Sequence, residues 1–150
     1  MTDQHRDRAS DVTSAMARAA MSVIESRLDR NDLSPAMVAQ VLGVPLRTLH
    51  RSFAAADDSI MAFARRRRLQ EAHDELVRSG NPAAVSEVAA RWHFSDASHF
   101  IRHFKSCYGV TPAAYLRNRR AAAAENLPWA PAEERRGQRS RRTLRAATDC

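Results

Sequence analysis

The side chains best suited to chemistry lie between Ser86 and Pro112, where the sequence reads SEVAARWHFSDASHFIRHFKSCYGVTP. The apolar spacing predicts a short helix, a tight corner closed by Phe94, and a second helix with Phe100 and Phe104 on its buried side. The opposite face carries polar and basic side chains such as Arg102, which suit contacts with a base edge or a phosphate. This arrangement is typical of a helix-turn-helix.

A second copy of the pattern lies nearer the N-terminus. Ser34 and Pro35 predict a helix start, Gly43 suits a left-handed corner, and the helix LRTLHRSFAA follows Pro45. The two copies align residue by residue at an offset of 50 before the corner (Val38 with Val88, Ala39 with Ala89, Leu42 with Trp92, Val44 with Phe94) and of 51 after it (Leu49 with Phe100, Arg51 with Arg102, Phe53 with Phe104). Two matching patterns in one chain are a much stronger indication than one, and they predict two helix-turn-helix units.

Composition favours a small all-α protein with a polyanionic partner. The 150 residues include only 4 glycines, 44% are hydrophobic, and no segment alternates as a strand would. The net charge of +7 and a pI near 10.8 suggest nucleic acid as that partner, although much of that charge lies in the arginine-rich residues 119–150.

No apolar run approaches the roughly 18 residues of a membrane span, and the N-terminal sequence MTDQHRDRAS does not have the pattern of a signal peptide. These features predict a cytoplasmic protein without a membrane partner.

The chain divides into three predicted regions. Residues 1–32 form a frayed tail and an amphipathic helix from Asp11 to about Asp29, residues 33–118 form the DNA-binding domain, and residues 119–150 form a flexible basic tail. Within the domain the predicted elements are a first helix-turn-helix at about 34–55, a linker helix at 58–79, a second helix-turn-helix at about 83–107 and a closing helix at 112–119. The run Arg65 to Arg68 on the linker helix is predicted to be mostly a solvated face, with one or two members able to pair with acids such as Glu71 or to reach phosphate.

Three segments resemble the AraC/XylS family of bacterial transcription regulators. They read LSPAMVAQVLGVPLRTLHRSF, ARRRRLQEA and VSEVAARWHFSDASHFIRHFKSCYGVTPAAYLR, and together they run from about Leu33 to Arg117. The resemblance implies that each unit sets its second helix in a major groove of double-stranded DNA, while the long helix fixes their spacing. It also implies RNA polymerase as a partner and activation as the commoner mode of action.

The resemblance assigns roles residue by residue. The residues that would read bases are Arg47, His50 and Arg51 in the first unit and Ala97, Ser98, Ile101 and Arg102 in the second, and those that would contact phosphate are Thr48, Ser95 and Lys105. Two positions depart from the family pattern: His93 stands at a corner where glycine is usual, and Asp57 or Asp58 stands where glycine is common. Two acids there would repel a passing phosphate.

Other functions have weaker support. His99 and His103 are four residues apart, as in some metal sites, but no third ligand or general base is evident nearby, so no metal, cofactor or enzymatic activity is predicted. A truncated family member that binds another protein without reading DNA sequence remains open as an alternative. A monomer is the default, and a dimer formed through the first helix is the alternative to it.

Overall fold

The computed structural model describes residues 3–125, which form seven α-helices and no strand. The helices are α1 (Asp3–Glu25), α2 (Pro35–Leu42), α3 (Leu46–Ala55), α4 (Ile60–Ser79), α5 (Val85–Arg91), α6 (Ala97–Tyr108) and α7 (Pro112–Glu125), with a 3-10 turn at Pro82–Ala84 before α5. The predicted all-α fold class, with two short-helix pairs and a long linker helix, is confirmed. The chain forms two compact units, and the first ends at Arg68 within α4.

Helices α1 and α7 differ in extent from the sequence-based expectation. Helix α1 begins at Asp3 instead of Asp11 and ends at Glu25 instead of about Asp29. It can begin earlier because residues 3–10 contain neither glycine nor proline, the residues least favourable in a helix. Helix α7 continues to Glu125 instead of ending at Arg119, because Arg120 and the run of alanines that follows it are strong helix formers. The rest of the predicted basic tail, residues 126–150, lies outside the described residues.

In the first unit, α1 packs against both α2 and α3. Ile24 of α1, Val38 of α2, and Leu49 and Phe53 of α3 are each 1% exposed or less. Burial of this apolar surface supplies most of the driving force for assembling the unit. One side of α3 is thereby fixed in the core, and its opposite side faces solvent.

In the second unit, an apolar cluster joins the later part of α4 to α5 and α6. Its members are Leu69, Ala72, Leu76, Val88, Ala89, Phe94, Phe100 and Phe104. Polar contacts add direction to this packing: the indole Nε1 of Trp92 donates to Glu75 Oε2 at 2.8 Å, and Arg91 forms an ion pair with the same carboxylate. The ring of His73 stacks on Tyr108 at 4.5 Å between centroids and shares a 3.0 Å hydrogen bond with the hydroxyl of Tyr115 on α7. Helix α6 is thus fixed by contacts with α4, α5 and α7.

Candidate nucleic-acid interface

The two corners of the repeat have the same backbone geometry. Gly43 has φ 66° and His93, fifty positions later, has φ 61°. The following amide donates to an equivalent carbonyl in each unit, from Val44 to Ala39 at 3.1 Å and from Phe94 to Ala89 at 3.0 Å. The expected glycine corner at Gly43 is confirmed. His93 adopts the same left-handed conformation, which is unfavourable for a residue with a Cβ atom.

Helices α2 and α6 each begin with a side-chain cap, whereas α3 begins after Pro45 without one. Before α2, the Ser34 hydroxyl accepts a hydrogen bond from the Met37 amide at 3.1 Å, as predicted. Before α6 the sequence leaves Ser95 and Asp96 open as caps, and the cap is Asp96, whose Oδ1 accepts from the His99 amide at 2.6 Å. Ser95 is exposed beside it. The hydroxyl of Ser95 is therefore left on the surface, where the sequence-based assignment to phosphate requires it.

Helix α3 separates its apolar and polar residues cleanly. Leu49, Ser52 and Phe53 are buried. The buried Ser52 hydroxyl donates a hydrogen bond to the Thr48 carbonyl at 3.0 Å. The predicted DNA-contacting residues of this helix, Arg47, Thr48, His50 and Arg51, are all exposed. Their contact with DNA stays a prediction. The same surface also exposes Leu46, which has no predicted role although the offset of 51 pairs it with Ala97.

Helix α6 offers a less charged surface. Ser98, Arg102 and Lys105 are exposed, whereas Ala97 and Ile101 are half-buried, and Ile101 packs against the core cluster. Within residues 3–125 neither Arg102 nor its counterpart Arg51 forms an ion pair. The two guanidinium groups at equivalent positions are therefore not engaged by acids of the described chain.

The arginine run on α4 has a structural role that its sequence does not reveal. Arg66 forms an ion pair with Asp58 and Arg67 with Glu25 at 3.2 Å. Arg68 donates to the main-chain carbonyls of residues 28 and 30, at 3.0 and 2.7 Å, and burial lowers its guanidinium pKa. Three of the four arginines are half-buried and only Arg65 is exposed, so the expectation of a mostly solvated face was wrong: local spacing does not show acceptors some forty residues away.

The acidic pair before α4 is divided between two roles. Asp57 has φ 56°, the glycine-like conformation expected at this turn, and is exposed. The side chain of Asp58 is only 16% exposed, pairs with Arg66, and accepts the Ser59 amide hydrogen at 2.8 Å. The charge of Asp58 is thus balanced by Arg66, and of the two acids expected to repel phosphate only Asp57 is left to do so.

The Asp58–Arg66 pair predicts a pH dependence of stability. The hydrogen bond from Arg66 lowers the pKa of Asp58 below 3.8, so the stabilisation is complete above the unfolded-state value and is lost as pH falls through the folded-state value. Asp58→Asn should therefore have a lower urea midpoint than the parent at pH 6. Between pH 6 and pH 3 the urea midpoint of the variant should fall less than that of the parent. Urea titrations followed by circular dichroism would measure this.

Asp32→Asn is the matched control. Asp32 pairs with Arg30 only two residues away, and both side chains are more than half exposed, so this variant should unfold like the parent. Equal effects of the two substitutions would contradict a specific role for Asp58.

Other kinds of site find little support in the structure. His99 Nε2 and His103 Nε2 are 3.1 Å apart, but residues 3–125 contain no cluster of three potential metal ligands. No helix in the same range is long and apolar enough to span a membrane. The residues predicted to contact DNA lie on the exposed faces of α3 and α6 and just before α6.

Comparison with known proteins agrees with this geometry. A family model described as a helix-turn-helix domain matches residues 38–118, just over half of the chain. The transcriptional activator NphR of Rhodococcus is 36% identical over 94 residues, covering 62% of this chain and 27% of that protein. The transcriptional activator RhrA of Rhizobium meliloti is 30% identical over 101 residues, covering 67% of this chain and 31% of that protein. The present chain thus spans about a third of the length of these relatives.

Two solved structures have a similar fold. A probable AraC family transcriptional regulator from Rhodopseudomonas palustris gives a TM-score of 0.63 at 29% identity, covering 70% of this chain and 97% of that one. A DNA-binding transcriptional dual regulator from Escherichia coli K-12 gives a TM-score of 0.61 at 23% identity, covering 69% and 90%; this second likeness concerns the fold alone.

Paired corners, each followed by a helix with an exposed polar face, define a protein of the double helix-turn-helix class. The chain belongs to the AraC/XylS family of transcription regulators. The resemblance drawn from its sequence is confirmed.

Proposed function

We propose that this protein is a sequence-specific DNA-binding transcription regulator, in which α3 and α6 read successive major-groove segments of one duplex. The observation that carries the proposal is the repeated corner, with an exposed arginine at the equivalent position of each following helix, Arg51 and Arg102. An arginine can donate two hydrogen bonds to the O6 and N7 atoms of guanine. Within residues 3–125 neither guanidinium group forms an ion pair, so both are available for contact with bases.

The remaining exposed side chains supply complementary contacts in this proposal. Arg47 and His50 extend the donor surface of α3, and Ser98 does so on α6, while Ala97 and Ile101 offer apolar contacts to thymine methyl groups. Thr48, Ser95 and Lys105 contact phosphates and set the register of each helix on the duplex. The 20 residues of α4 correspond to roughly 30 Å of helix, which is close to the roughly 34 Å of one DNA turn.

The names of the relatives support a mode of action. NphR and RhrA are both named transcriptional activators, so we infer activation through RNA polymerase as a further partner. The corresponding place of action is the bacterial cytoplasm, with a monomer as the default state and a dimer through α1 as the alternative. No cofactor, metal ion or catalytic step is required for this function.

Selection of bound sequences from a random duplex library tests the proposal. The full chain is used at near-physiological salt, because counterion release would otherwise favour non-specific binding. We expect an enriched two-part motif whose halves lie about one helical turn apart. Salt-sensitive binding with no enriched motif would contradict the proposal and favour a protein-interaction module instead.

A further inference from the structure

Helix α3 begins with an exposed leucine on an otherwise polar surface. Leu46 is 39% exposed, and with Val12 and Val41 it makes up the exposed large hydrophobic residues found in residues 3–125. Its helical neighbours Arg47 and His50 are exposed and polar. A single exposed leucine is ordinary on a protein surface, but beside Arg47 and His50 it places an apolar side chain within the surface that is proposed to contact DNA.

The internal repeat shows which position Leu46 occupies. Leu46 is the first residue of α3, and Ala97 is the first residue of α6, 51 positions later. The same offset pairs Arg47 with Ser98, His50 with Ile101, and Arg51 with Arg102. The four proposed base-facing positions of α6 therefore have four counterparts in α3, of which Leu46 is the one without a role. The first residues of a recognition helix are also those that reach base edges.

We propose that Leu46 is a specificity-determining residue of the first unit and selects thymine by contact with its methyl group. The inference rests on the proposed function. A leucine side chain neither donates nor accepts a hydrogen bond, and the C5 methyl of thymine is the apolar feature that the major groove presents. Leucine is longer than alanine and more exposed here than Ala97, so it covers more of that methyl group than Ala97 would.

The test compares sequence selection by the wild-type chain, Leu46→Ala, Leu46→Met and Val41→Ala. Leu46→Ala should lose about a three- to fivefold preference for thymine at one position of the first half-site, the effect of burying roughly one methyl group, and keep every other preference. Leu46→Met should retain the thymine preference because it keeps an apolar chain of similar length. Val41→Ala removes an exposed apolar residue from α2 and should leave the motif unchanged.

Three results would overturn this inference while leaving the proposed function in place. The first is an unchanged motif for Leu46→Ala, the second is an equal loss of affinity on all sequences, and the third is the same relaxation for Val41→Ala. A wild-type chain that selects no motif would overturn the proposed function and this inference together. Circular dichroism of each variant confirms its fold, which an alanine at an exposed helical position should preserve.

Discussion

Replacing Arg102 by alanine is expected to weaken binding to the selected site by about 1–3 kcal/mol and to relax sequence preference in the second half-site alone. The Arg102 side chain is exposed on α6 and forms no ion pair within residues 3–125, so its removal breaks no ion pair of the described chain. The loss should therefore come from unpaired acceptors on the guanine edge. Fluorescence anisotropy with matched and mutated duplexes would measure it.

The repeat supplies the matched control. Arg51 occupies the equivalent position of the first unit, so Arg51→Ala should relax the first half-site and leave the second intact. Arg117→Ala removes an exposed arginine from α7 and should leave both preferences unchanged. If Arg102→Ala weakened binding equally on every sequence, Arg102 would be a phosphate contact and its assignment as a base-reading residue would be wrong.

Replacing Phe100 by alanine is expected to destabilise the second unit by about 3–5 kcal/mol. Phe100 is completely buried on α6, with its ring centroid 5.0 Å from that of Phe94 and 5.9 Å from that of Phe104. Truncation would leave a cavity at the centre of this cluster and remove the aromatic contacts with both rings. Urea unfolding followed by far-ultraviolet circular dichroism would give the free energy of unfolding.

Ser106→Ala tests whether this effect is specific to the core. Ser106 is exposed on the same helix, and alanine has the higher helix propensity, so the variant should be at least as stable as the parent. A loss below about 1 kcal/mol for Phe100→Ala would show that α6 is not anchored through this ring, since truncation of a well-packed phenylalanine costs several times more.

The sequence predicted those features that depend on local chemistry. The Ser34 cap, the left-handed Gly43 and the four-residue spacing of Phe100 and Phe104 each follow from residue type and helical periodicity. The repeat added information that neither copy contains alone, because offsets of 50 before the corner and 51 after it align the corner and the following helix of one copy with those of the other. Fold class and family could therefore be predicted together.

Features that depend on distant partners could not be predicted in the same way. Arg67 pairs with Glu25 from 42 positions away, and Arg68 reaches carbonyl groups 38 and 40 positions away. A run of arginines looks the same in sequence whether its acceptors are water or a folded neighbour. The exposure of Leu46 could not be predicted either, because residue type alone does not show whether a leucine at the start of a helix is buried.

The claim that both recognition helices engage one duplex is tested most directly by changing the spacing of the selected half-sites. Insertion of about five base pairs turns one half to the opposite face of the duplex. With the two units joined through the continuous helix α4, we predict that affinity falls to that of a duplex carrying a single half-site. Undiminished affinity at every spacing would contradict simultaneous binding of both units to one duplex and would mean that each unit binds DNA without the other.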